Sequence, residues 1–192
     1  MKGSLVTLLL LAVLIFSCQN KKKEGEENAD FFPALSFLKS QVASVDTSVF
    51  RIIKIEKTDS LADTSYLKRE MFKKEAMDFL SIPDISSGTL KDDYSETKLY
   101  DADLEQVSLS YMPKNGGEIT RQEVLIKPST EGDKVSSVFI NRTINAGDST
   151  VQKIMYWQVD KRFRIVTISQ KENTPEKVKT VEVIWNDFAP AQ

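Results

Sequence analysis

The sequence predicts an α+β domain, in which two N-terminal helices pack on a curved, mostly antiparallel sheet of about six meander strands. Apolar residues recur at helical spacing only in the first half of the chain. From Leu104 onward, segments of alternating apolar and polar residues follow one another. The breaks between them are short, and Asn115-Gly116-Gly117 is a strong hairpin signal. Short breaks join antiparallel neighbours.

Apolar spacing and capping residues predict the two helices. Pro33 suits a first helical turn, and the segment after it predicts a helix over 33–45. Its core-facing residues are Leu35, Leu38 and Val42. A second helix over 66–80 follows the capping residue Thr64 or Ser65. Its apolar face consists of Leu67, Met71, Phe72, Ala76, Phe79 and Leu80.

The strands are predicted from β-branched and aromatic residues. One strand over 49–56 lies between the two helices, and residues 81–103 read as a loop because they contain Pro, Gly, Ser and many acids. The meander is predicted over 104–113, 118–128, 134–143, 150–159, 162–171 and 177–186. Together with the helices, these strands assign residues 31–192 to one globular domain.

The central strands carry apolar residues on both faces, so both faces need cover. With Asp160-Lys161 as a two-residue turn, Met155 lies opposite Val166 and shares a face with Trp157 and Ile168. These four residues are the predicted lining of a pocket for a small apolar ligand. The alternative is that they belong to a closed core.

The N-terminus has the order of a secretory signal. Lys2 supplies a positive charge, Leu5 to Phe16 is almost wholly apolar, and the small residue Ser17 precedes Cys18. The apolar run is shorter than the roughly 20 residues that a membrane-spanning helix needs. The segment is therefore predicted to direct export and then to be removed.

Ile15, Phe16, Ser17 and Cys18 resemble the lipobox of bacterial lipoproteins. The resemblance implies cleavage between Ser17 and Cys18, attachment of diacylglycerol to the Cys18 sulfur, and often acylation (palmitate) of the new N-terminus. Residues 1–17 are then a signal peptide, and 18–30 are the lipidated cysteine and a flexible charged tether. An ordinary signal peptide and an uncleaved helix are the alternatives.

The residues after Cys18 bear on the destination of the protein. Gln19 is not the aspartate that retains many enterobacterial lipoproteins in the inner membrane, so the resemblance favours the outer membrane. Some lipoproteins of the Bacteroides group carry an acidic surface-export run at this place. Here Glu24 follows three lysines, so the periplasmic and the surface-facing side stay open.

Composition narrows the chemistry. The chain has no histidine and one cysteine, which excludes histidine-based triads, imidazole metal ligands and internal disulfides. A formal net charge of −2 gives no sign of nucleic-acid binding. Asp101, Asp103 and Glu105 alternate before a strand, but they lack the glycine of a calcium loop and are expected to be solvated. We expect no catalytic residue, no metal and no cofactor.

These observations predict a lipid-anchored, non-enzymatic envelope protein that acts as a binding or interaction module. Its expected partners are the membrane, through the anchor, and an envelope protein, a glycan or a small apolar ligand. Two alternatives stay open, a carrier or sensor of a lipophilic ligand and, least favoured, a hydrolase that uses carboxylates.

Overall fold

Nine strands of the computed structural model form one open antiparallel sheet, with three helices against one of its faces. The structure describes residues 30–47, 49, 51–58 and 61–186, and counts here refer to that part of the chain. The α-helices are α1 (Ala34–Asp46), α2 (Arg69–Glu75) and α3 (Met77–Leu80), and a 3₁₀-helix covers Gly88–Asp93.

The sheet is a meander with one crossover. Its strands are β1 (Ile52–Thr58), β2 (Leu61–Leu67), β3 (Tyr94–Asp101), β4 (Gln106–Pro113), β5 (Ile119–Lys127), β6 (Lys134–Ala146), β7 (Ser149–Gln158), β8 (Arg162–Lys171) and β9 (Lys177–Ile184). They are arranged in the order β2-β1-β9-β8-β7-β6-β5-β4-β3, and all pairings are antiparallel.

The predicted α+β class and the antiparallel meander are confirmed, but the count of about six strands is wrong. The six meander segments are β4 to β9, and the predicted strand over 49–56 is β1. The two strands that were missed, β2 and β3, are the two edges of the sheet. Most of their side chains are exposed, so neither strand shows the alternation of a half-buried strand.

The first predicted helix corresponds to α1, but the second differs from the prediction. Residues up to Leu67 belong to β2, because they complete the hairpin with β1. The helical segment then breaks at Ala76, whose φ of −83° and ψ of 2° lie outside the helical region, so α2 and α3 replace one continuous helix. The pattern located the buried side chains Phe72, Ala76 and Phe79 correctly.

The core lies between the helices and the sheet and is built around an aromatic cluster. Phe72 of α2 and Phe79 of α3 contact Trp157 and Phe163, with ring centroids 5.2 to 6.3 Å apart, and Phe72 also contacts Trp185. Trp157 stacks on Phe163 at 5.3 Å. All five rings are buried. The centre of the helix-facing side of the sheet is therefore filled by side chains, and an open pocket of about 260 Å³ remains beside it, at Ile165 and Val181.

Tyr111 of β4 joins the segment before α1 to the sheet. Its side chain is fully buried, and its hydroxyl accepts the Phe32 N–H at 3.0 Å. The Phe31 ring lies against the Tyr111 ring, 4.8 Å between centroids. One tyrosine thus supplies both apolar contact and a buried hydrogen bond.

Candidate functional site

The register of β7 and β8 places the four predicted pocket residues on two different faces. Trp157 pairs with Phe163 and Met155 with Ile165, so the connection between the strands runs through Val159-Asp160-Lys161 instead of two residues. Asp160 adopts a left-handed conformation with φ of 59°, which aspartate tolerates better than most residues. A shift of one residue moves side chains to the opposite face.

The prediction that these four residues line one pocket is therefore wrong. Met155 and Trp157 are fully buried on the helix-facing side, in the aromatic core. Val166 pairs with Ile154 and shares the other face with Ile168, where both are half-buried. A tight core was the alternative that the sequence left open, and it holds for the first two residues.

The other face of the sheet, which we call the open face, carries no helix in the described part of the chain. In the described part of the chain, every fully buried apolar side chain of the strands points to the helix side. One row of directly paired residues crosses the open face from β1 to β4. It consists of Ile55, Glu182, Arg164, Tyr156, Phe139, Glu123 and Ser110.

Two aromatic residues stand side by side at the centre of this row. Tyr156 of β7 pairs directly with Phe139 of β6, and both are half-buried. Arg164 of β8 lies next to Tyr156, and Glu123 of β5 lies next to Phe139. The aromatic pair is thus flanked by a cation on one side and by a carboxylate on the other.

An open pocket of about 240 Å³ lies beside the aromatic pair. It is lined by Arg121, Glu123, Leu125, Ser137, Phe139 and Tyr156. Ser137 is buried although it lies on the open face, because the larger side chains around it cover it. The pocket is somewhat below the volume of about 300 Å³ at which sites for drug-sized ligands begin.

Polar contacts hold the pocket wall in place. Arg121 bonds Glu123, and its guanidinium lies over the Phe139 ring at 5.8 Å from the centroid. Glu123 also accepts the Ser108 hydroxyl at 3.3 Å. These contacts restrict the orientations of the side chains, and such restriction lowers the entropy cost of any binding at this place.

The acidic residues that the sequence analysis considered as calcium ligands lie at the end of β3 and in the turn that follows it. The Asp101 carboxylate accepts the backbone N–H groups of Asp103 and Leu104, both at 3.0 Å, in an aspartate turn that starts the connection to β4. Glu105 has a φ of 50° in the same connection. Within the described residues, no group of three or more Cys, His, Asp or Glu side chains is placed to hold a metal ion.

The predicted lipidation site lies outside the described residues. Ser17 and Cys18 are in this part of the chain, as are the signal peptide and the tether up to residue 29, so these assignments stay predictions. In the described part, no helix is long and apolar enough to cross a membrane.

Comparison with protein-family models, with curated proteins and with solved structures finds no significant match to this chain. The sequence did carry a signal for the open face, because Ile154 and Tyr156 put apolar groups on the second side of β7. The alternation within each strand gave no signal that Tyr156 pairs with Phe139, because that pairing depends on the register between β6 and β7.

Proposed function

We propose that this protein is a lipid-anchored envelope protein whose domain binds a partner protein through the open face, without catalysing a reaction. The observation that carries the proposal is the strip of Arg164, Tyr156 and Phe139 on a face whose apolar side chains are only partly covered. Tyrosine and arginine are, with tryptophan, the residue types enriched among those that dominate binding energy at protein interfaces.

The arrangement of charges supports a protein partner. Arg121 bonds Glu123, and Arg162 lies 3.4 Å from Glu182, so charges on the open face are largely balanced within the domain. Arg164 is exposed between Glu182 and Tyr156, where it can meet an acidic side chain of the partner. Balanced charges beside aromatic groups are typical of selective protein contacts, since charge here sets specificity more than affinity.

Photo-crosslinking in membranes tests this role. A photoreactive amino acid in place of Arg164 is expected to give a covalent adduct with one reproducible envelope protein. The same group in place of Lys73, which is exposed on α2, serves as the control and is expected to give none. Tyr156→Ala should reduce the adduct at least about tenfold, since truncating an aromatic anchor costs about 2 kcal/mol or more. Equal labelling at both positions would contradict the proposal.

The carrier alternative makes a different prediction for the same protein. The centre of the helix-facing side is filled by the aromatic cluster. The open pockets at Ile165 and Val181 on that side and beside Tyr156 on the open face, about 260 and 240 Å³, are small for a lipid. Native mass spectrometry of the mature protein distinguishes the two functions. Co-purified lipid beyond the covalent anchor would favour a carrier, and a protein of uniform mass favours a binding module.

The anchor has its own test at Cys18. Cys18→Ser removes the sulfur that the lipobox resemblance assigns to diacylglycerol, so the variant is expected either to stay unprocessed or to lose membrane attachment. More than one acyl chain gives lasting attachment, so most of the wild-type protein should sediment with membranes. Immunoblots of soluble and membrane fractions measure both. A variant processed and sedimented like the wild type would contradict lipidation.

A further inference from the structure

The outer edge of β3 offers backbone hydrogen bonds to another strand. Within the described residues, β3 pairs only with β4, so its other side is an edge of the sheet. The Asp93 carbonyl accepts the Lys114 N–H at 2.8 Å, which makes 93 and 114 a hydrogen-bonded pair. Such pairs alternate along an antiparallel ladder. Glu96, Lys98 and Tyr100 therefore direct their peptide groups outward.

This edge lacks most of the features that prevent pairing with another chain. Natural edge strands are blunted by proline, by charge, by a bulge or by shortness. β3 has eight residues without proline and pairs with β4 without a bulge, and its charged residues are Glu96, Lys98 and Asp101. Leu99 and Tyr100 are 64% and 59% exposed, so apolar surface accompanies the outward peptide groups. Strand addition from another chain would cover both.

We propose that a second copy of this chain pairs with β3 in antiparallel fashion, about a twofold axis at Thr97. In this register Glu96 lies opposite Lys98 of the second copy, and Lys98 lies opposite Glu96 of the second copy. Opposite charges at directly facing positions stabilise a sheet.

Charge selects this register among its neighbours. The outward peptide groups belong to even-numbered residues, so even residues must face even residues across the axis. Registers centred on Glu96 or on Lys98 also satisfy this condition. They put two Glu96 carboxylates or two Lys98 ammonium groups directly opposite each other, which destabilises a strand pair. The register centred on Thr97 replaces both repulsions with two attractions.

The partner is a second copy because the strand complements itself. When two copies of the segment Glu96-Thr97-Lys98 run antiparallel, each negative charge of one copy faces a positive charge of the other. Isologous contacts of this kind close after two subunits. The surface lies on an edge of the sheet, away from the central strands that carry Tyr156 and Phe139, so it is separate from the proposed partner site.

Disulfide trapping of the full chain in membranes tests the register. At the axis, the Cα atoms of the two Thr97 residues would be about 4.5 Å apart, within the range that a disulfide spans. Thr97→Cys is therefore expected to give a disulfide-linked dimer after mild oxidation. Ser95→Cys is the matched control on the same strand and face, because its two copies would be roughly 13 Å apart along the strands. The wild-type chain shows any background from Cys18.

Charge exchange in the Thr97→Cys background tests the pairing of Glu96 with Lys98. Lys98→Glu places like charges opposite each other twice and should lower the dimer yield about fivefold or more. Lys98→Arg, which keeps the positive charge and leaves Glu96 in its hydrogen bond with Tyr111, should keep the yield of the Thr97→Cys parent. Absence of a dimer at Thr97→Cys, equal trapping at Ser95→Cys, trapping to a protein of another mass, or a Lys98→Arg variant as low as Lys98→Glu would each overturn the proposal.

Discussion

Phe72→Ala is expected to lower the free energy of unfolding by about 3–5 kcal/mol, which is the cost of truncating a fully buried phenylalanine. The ring is 0% exposed and contacts Trp157, Phe163 and Trp185 at centroid distances of 6.3, 5.8 and 5.2 Å. It is also a main link between α2 and the sheet. Its removal leaves a cavity between stiff aromatic rings, which cannot readily collapse into it.

Met71→Ala is the matched control for this change. Met71 precedes Phe72 on α2 and is exposed, and both methionine and alanine are good helix formers. It should change stability by no more than about 0.5 kcal/mol. Denaturant titration followed by tryptophan fluorescence measures both variants, because Trp157 and Trp185 lie in the affected cluster. A loss below about 1 kcal/mol for Phe72→Ala would show that α2 does not pack on the sheet as described.

Tyr111→Phe is expected to lower stability by about 1–2 kcal/mol at neutral pH and to change its pH dependence. The hydroxyl accepts the Phe32 N–H at 3.0 Å in a buried place, so its removal leaves that donor without this partner. Burial raises the pKa of the Tyr111 hydroxyl above its ordinary value. The Phe32 N–H acts in the opposite direction, and the hydrogen bond with the Glu96 carboxylate raises the pKa further.

The direction of the pH effect follows from this raised pKa. The unfolded chain releases the tyrosine proton near pH 10, whereas the folded protein still holds it. The contribution of the Tyr111 hydroxyl to the free energy of unfolding is therefore complete below about pH 10. Above that pH the free energy of unfolding falls, by up to about 1.4 kcal/mol per pH unit. Tyr94, whose pKa is also raised by burial, adds to the same decline.

Thermal unfolding between pH 8 and pH 11 measures the effect. Tyr111→Phe should lose part of the alkaline decline, so its stability curve approaches that of the wild type as the pH rises. Tyr66→Phe is the control, because Tyr66 is 75% exposed on β2, and it should follow the wild-type curve. Parallel curves for the wild type and Tyr111→Phe would show that the hydroxyl is not shielded from water.

The strands that the sequence predicted well are those with a buried face. In β4, Leu109 and Tyr111 share parity and both face the helix side, and the turn at Asn115-Gly116-Gly117 marks where that strand ends. Hydrophobic alternation and turn chemistry are local signals, so they survive without knowledge of the fold. The buried positions Phe72 and Phe79 were found for the same reason, although the helix around them is broken.

The edge strands β2 and β3 left no such signal. Asp63-Thr64-Ser65 reads as a helix cap, yet these residues pair with Glu56, Ile55 and Lys54 of β1. Hydrogen bonding to a neighbouring strand decided their conformation, since their own side chains are solvated and favour no single structure. The same holds for β3, whose only buried residue is Tyr94.

The sequence by itself determined the α+β class, the meander and the prediction of an anchor at Cys18, because each depends on residues close together in the chain. The tertiary structure alone decided which side chains meet. A change of one residue at the turn around Asp160 placed Phe163 and Ile165, instead of Val166 and Ile168, beside Trp157 in the core. Strand register has a period of two, so a small local difference in the turn exchanges the buried and the accessible residues of the whole strand.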